Sequence, residues 1–117
     1  MQLSEISFDN GRPVDGYGPN FFRIAGKIFE GKVALLPQSC GPWLGFDDPA
    51  PFVNIAKDLD VLLVGMGANI AHIPAGFLAA LEEADIGVEI MNSPTACRTY
   101  NVLLSEGRRI GLALLPV

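Results

Sequence analysis

The chain has 117 residues, 50% of them hydrophobic and 18% charged, and carries a net charge of −5. That much apolar material fills the core of one α/β domain and argues against a disordered segment. The excess of acids, with no basic stretch denser than Arg108-Arg109, excludes binding through nucleic-acid phosphates and disfavours anionic membrane surfaces.

The opening residues MQLSEISFDNG have neither a basic n-region nor an apolar h-region, so the expected location is the cytoplasm. The longest apolar runs, residues 33–37 and 60–67, are too short to cross a bilayer, and the chain is not expected to be membrane-embedded. Two cysteines, Cys40 and Cys97, cannot form a disulfide framework. With the one histidine, His72, they show no metal-ligand spacing, so no metal or other cofactor is expected.

In chain order, residues 5–8 alternate as a short strand ending at Asp9-Asn10-Gly11, and a Gly/Pro-rich connector runs from Gly11 to Pro19. Residues 21–25, 28–29 and 33–36 read as antiparallel strands joined by turns at Gly26 and Gly31. Residues 38–49 read as a loop holding Trp43. The period then becomes helical through Phe52, Ile55, Ala56 and Leu59, with Asp48-Pro49 as the start signal. Val61-Leu62-Leu63-Val64 has the pattern of a strand buried on both faces, broken by Gly65-Met66-Gly67.

A second helix starts at Pro74 with Phe77, Leu78, Leu81 and Ala84 on one face, and residues 87–90 form the next strand. Ser93-Pro94 reads as a hydroxyl N-cap followed by proline, opening a third helix with a stripe of Ala96, Tyr100, Leu103 and Leu104 that stops at Gly107. Residues 110–115 are the last strand. The order strand–helix–strand–helix–strand calls for a parallel sheet with right-handed crossovers. The fold expected is therefore one α/β domain spanning residues 1–117. It has three layers, with a central mixed sheet, antiparallel N-terminal strands and a C-terminal βαβαβ part.

Candidate sites cluster at the carboxyl edge of that sheet. Gly65-Met66-Gly67 lacks the third glycine of a dinucleotide fingerprint, since Ile70 stands there, and reads as a tight strand exit. A small-anion or small-molecule crevice between residues 65–71 and the helix start at residues 92–95 remains open, drawing on Gly65, Gly67, His72, Ser93, Thr95 and Cys97. Capping alone also explains the helix start, as any helix needs it. Cys97, in the first turn, is either an activated thiol with His72 as its base or a small buried side chain. Trp43 is either a lid over the core or an exposed anchor for a partner. No residue is assigned a catalytic role.

Several stretches together resemble one family of small domains. They are Phe22-x-Ile24-x-Gly26, Gly31-x-Val33-x-Leu35-x-Pro37 with Trp43, and Val64-Gly65-Met66-Gly67 with Pro74. The most specific is Thr95-Ala96-Cys97-Arg98-Thr99-Tyr100-Asn101, followed by Leu104, Glu106-Gly107-Arg108 and Ala113-Leu114-Leu115. The family is the one that includes mitochondrial respiratory complex I assembly factor three and the human adipogenesis-associated conserved-domain protein. The chain departs from its pattern at Asn92-Ser93-Pro94. The resemblance covers nearly the whole chain and implies a three-layer fold on a mixed sheet, with no established enzyme activity. It implies protein partners in the biogenesis of a respiratory or other membrane complex.

Overall fold

The computed structural model describes residues 11–117. The strand expected over residues 5–8 lies outside them. Eight strands and three helices follow in the order β1 (Val14–Gly18), β2 (Phe21–Ile24), β3 (Lys27–Glu30), β4 (Val33–Leu36), β5 (Ser39–Pro42), α1 (Ala50–Val53), a 3-10 turn (Ala56–Asp58), β6 (Val61–Met66), α2 (Ala75–Glu83), β7 (Gly87–Met91), α3 (Ser93–Ser105) and β8 (Ile110–Leu115). β1, β2 and β3 make a small antiparallel sheet, while the other five form a mixed sheet in the order β5-β4-β8-β6-β7.

The N-terminal strands form where alternation and glycine turns predict them. Between β2 and β3, Ala25 and Gly26 both take positive φ, 51° and 78°. That is the two-residue hairpin whose twist matches the strands it joins. Asp15 Oδ2 accepts the Gly26 N–H at 2.8 Å and holds the turn. Two strands arise where a connector and a loop were expected. β1 lies inside the Gly/Pro-rich stretch and is drawn out by pairing with β2, with a bulge between Val14 and Gly16. β5, with the sequence Ser-Cys-Gly-Pro, has little strand propensity of its own and pairs antiparallel with β4 at the sheet edge.

The central strands sort their side chains by parity. Val61, Leu63, Ile110, Leu112 and Leu114 pack on one face with Ala96, Cys97, Tyr100 and Leu104 of α3 and with Val14, Phe22 and Ile24 of the small sheet. Leu62, Val64, Met66 and Ala113 pack on the other with Trp43, Phe52, Phe77 and Leu81. Three layers result: α3 with the small sheet, the mixed sheet, and α1 with α2.

β6 pairs parallel with β7 on one side and with β8 on the other. The crossovers β6-α2-β7 and β7-α3-β8 therefore run in opposite directions along the sheet. Opposite directions with one handedness put α2 and α3 on opposite faces, as the two cores show. The helix expected through residues 52–59 is broken into α1 and the 3-10 turn: the Ile55, Asp58 and Leu59 N–H groups bond the carbonyls three residues back, at Phe52, Ile55 and Ala56, and Phe52 and Leu59 both stay in the core.

Candidate functional site

The reversal of direction between the crossovers makes the carboxyl ends of β6 and β7 the place where open α/β sheets form a ligand crevice. The crevice expected between residues 65–71 and 92–95 would open here. One side chain fills it. Ser93 is fully buried. Its hydroxyl donates to the Leu115 carbonyl at 2.6 Å and accepts the Gly67 N–H at 2.8 Å, and its own N–H donates to the Gly67 carbonyl at 2.8 Å. Three chain segments are thereby tied at one point.

Gly65 is required by the same contact. A Cβ there would stand 2.8 Å from Ser93 Oγ, 2.8 Å from Leu114 Cδ2 and 2.9 Å from Ser93 Cα. Gly67 turns the chain out of β6 with φ 85°. These glycines close strand and helix start onto each other; they do not cradle a phosphate.

The N–H groups that would hold an anion at the start of α3 are also committed. The N-cap is Asn92, one residue before the expected Ser93, and its Oδ1 accepts the Thr95 N–H at 2.8 Å. The Ser93 N–H goes to Gly67, Pro94 has none, and the Ala96 N–H goes to the Asn92 carbonyl. Ser93 is not the cap because its hydroxyl already serves two long-range partners. Thr95 Oγ1 faces the exposed Arg98 guanidinium, accepting from Nη2 at 3.2 Å.

Cys97 is 4% exposed, and burial pushes its thiol up to about 12, against a smaller opposing pull from Arg98. A thiol so held is neutral at ordinary pH and is a poor nucleophile. His72 is exposed in the loop that leads to α2, whereas Cys97 lies in the α3 core on the other side of the sheet. The structure does not assemble them into a thiol–imidazole pair.

Trp43 requires a correction: it is 3% exposed and serves as a core residue, so it is no exposed anchor. Its indole N–H donates to the Asp48 carbonyl at 2.9 Å. Phe46, Phe52 and Phe77 surround it at centroid distances of 5.5, 5.6 and 5.7 Å, in edge or tilted contacts. Among the described residues, the large apolar side chains most exposed are Leu44, at 79%, with Ile70, Val102, Ile28 and Tyr17.

Sequence reading missed the tie between α3 and the start of β1. Tyr100 donates its hydroxyl to the Arg12 carbonyl at 2.9 Å, and the Asn101 carboxamide bonds both backbone groups of Val14. The only signal was the adjacency of Tyr100 and Asn101 in the C-terminal block. Among the described residues no three His, Cys, Asp or Glu side chains gather as metal ligands. No helix there is long and apolar enough to cross a membrane.

This is the architecture of an Mth938-like domain. A Bordetella pertussis protein described by that term superposes with a TM-score of 0.72 at 24% identity, over 99% of this chain and 92% of that one. A Bartonella henselae structure, described as an outer membrane protein, superposes with a TM-score of 0.83 at 29% identity, over 93% and 98%. The chain belongs to the family described as protein of unknown function (DUF498/DUF598), which it matches over residues 14–115.

An uncharacterized protein of Rhodobacter capsulatus is 50% identical over all of this chain and 94% of its own length. Human NADH dehydrogenase [ubiquinone] 1 alpha subcomplex assembly factor 3 is 32% identical over 88% of this chain. The chain spans 60% of that factor's length.

Proposed function

We propose that this chain is a protein-interaction domain that assists the assembly of a respiratory membrane complex, and that it performs no chemistry of its own. The observation that carries the reading is the 32% identity to a protein named as an assembly factor of NADH dehydrogenase. The sheet edge supports it from the other direction. The place where a ligand would sit is filled by Ser93, the first-turn N–H groups are used internally, and the nearby thiol is neutral.

The same reading puts the chain in the cytoplasm, in contact with soluble subunits or assembly intermediates of the complex. The test is affinity capture of the tagged full chain from its native cells, paired with cell fractionation. Recovery of NADH:quinone oxidoreductase subunits, and loss of assembled complex when the gene is deleted, are the expected results. Normal amounts of assembled complex in the deletion strain would overturn the reading, and recovery in the outer-membrane fraction would overturn the location.

A further inference from the structure

The layer built from α1 and α2 carries a groove and an excess of acidic residues. A groove of about 490 Å³ lies between the two helices, lined by Pro49, Ala50, Val53, Ala80, Glu83 and Ala84. A second cleft of about 370 Å³ borders it at Pro49 and is lined by Phe46, Asp47 and Phe77. A third of about 450 Å³ borders it at Ala84 and is lined by Asp85, Lys57 and the Asp60–Arg109 pair. The floor of the α1–α2 groove is apolar, and three alanines keep it open. Asp47, Glu83 and Asp85 stand along the three, with Lys57 at the far end.

Charge is segregated along the chain in the same sense. Residues 46–86, which supply this layer and β6, hold seven Asp and Glu and one Lys. The remaining described residues hold seven Lys and Arg and four acids. Arg109, the one guanidinium at the groove, is bound to Asp60 at 2.7 Å. Among the described residues, Asp47, Glu83 and Asp85 have no ion pair or side-chain hydrogen bond.

We propose that the α1–α2 groove docks a basic amphipathic helix supplied by a partner protein. The nine residues of α2 run about 14 Å, enough to support two to three turns of a third helix laid alongside it. An apolar stripe on that helix covers Val53, Ala80 and Ala84, and the small side chains let the backbones approach. Lysines or arginines flanking the stripe reach Asp47, Glu83 and Asp85. The charge field selects the sign of the partner and speeds the encounter, while the apolar floor holds it. An acidic segment or an anionic lipid surface is repelled by the same acids. The inference stands on the groove alone and does not require the partner to be a respiratory subunit.

The test uses the full chain and a fluorescein-labelled synthetic peptide of leucine and lysine, about 16 residues long, with leucines on one helical face. The control is the same composition with the leucines scattered. Fluorescence anisotropy should show saturable binding of the amphipathic peptide and binding of the scattered one weaker by roughly tenfold or more. Ala80→Tyr, which fills the groove, and Glu83→Lys, an exposed charge reversal that leaves the core untouched, should each weaken binding by about tenfold. No binding, equal binding of the scattered peptide, or unchanged binding by a folded Glu83→Lys variant would each overturn the proposal. So would a dimer in sedimentation that Ala80→Tyr dissolves, because the groove would then belong to a second copy. The probe is synthetic, so a failure here leaves the capture experiment on respiratory subunits unaffected.

Discussion

The carboxamide of Asn101 does for Val14 what a neighbouring strand would do. Val14 donates its N–H to Asn101 Oδ1 at 2.8 Å and accepts from Nδ2 at 2.9 Å, across 87 positions of sequence. Val14 stands on β1, at the edge of the small sheet, so one side chain of α3 closes an open strand edge. Tyr100 adds the bond to Arg12 next to it. The core of the small sheet, with Phe22 and Ile24 against α3, is thus held in register by polar as well as apolar contacts.

Asn101→Ala leaves both Val14 groups without their partners in a half-buried site. The expected loss is about 1–3 kcal/mol in urea unfolding. Asn101→Asp should recover part of it, since a carboxylate accepts from the Val14 N–H but cannot donate to its carbonyl. Equal stability of wild type and Asn101→Ala would show that water replaces the clasp at no cost.

Ser93 and Gly65 form a second such contact, where both polarity and size count. Ser93→Ala orphans the Gly67 N–H and the hydroxyl's bond to the Leu115 carbonyl, and should cost about 1–3 kcal/mol. Gly65→Ala drives a methyl group to within 2.9 Å of Ser93 Cα, a backbone atom that cannot swing aside. It should cost about as much or more, as overpacking does. Thermal unfolding of both variants checks the pair, and a Gly65→Ala variant as stable as wild type would mean that α3 can slide away from β6.

Trp43 predicts a spectroscopic result as well as a thermodynamic one. As the only tryptophan, packed among three phenylalanine rings, it should emit at short wavelength in the native state and shift to the red on unfolding. Trp43→Ala should cost about 3–5 kcal/mol through the void it leaves. Red-shifted native emission quenched by iodide would contradict its burial and restore the idea of a surface anchor.

These residues also show what one sequence reveals. The β6-α2-β7-α3-β8 half was legible because its apolar residues keep one period per element and Pro and Gly mark the ends. α2 begins after Pro74, and β8 covers Ile110–Leu115 as read. β1 and β5 were not legible, because three glycines and a proline among their nine residues break the strand pattern and pairing with β2 and β4 makes them strands. The carboxyl edge of the sheet was legible as a place for a crevice, but the strand order that makes β6 and β7 its switch point was not, and neither was the state of that edge. Whether Ser93 caps a helix or fills a crevice depends on Gly67 and Leu115, which lie 26 and 22 residues away. The groove between α1 and α2 escaped for a related reason. The acidic excess of residues 46–86 stands in the sequence, but the apolar groove beside it exists only once α1 and α2 lie side by side.

Cys97 supplies the last prediction, and its sign can be worked out. Burial raises the folded thiol from 9.0 to about 12. A group whose folded value lies above its unfolded value contributes stability that is whole below the unfolded value. That stability is lost as pH rises toward the folded one, because the unfolded chain gives up its proton first. The window is therefore pH 9 to about 12. Tyr100, likewise raised by burial, adds a loss of the same sign above 10. The difference in unfolding free energy between wild type and Cys97→Ala isolates the thiol, and it should shrink steadily as pH rises through that window. At about pH 8 the native thiol should resist a thiol-exchange reagent that labels it fully in urea, with Cys40, half-buried, reacting first. Rapid labelling of Cys97 in the folded protein would show that α3 opens locally, and would return this cysteine to consideration as a reactive group.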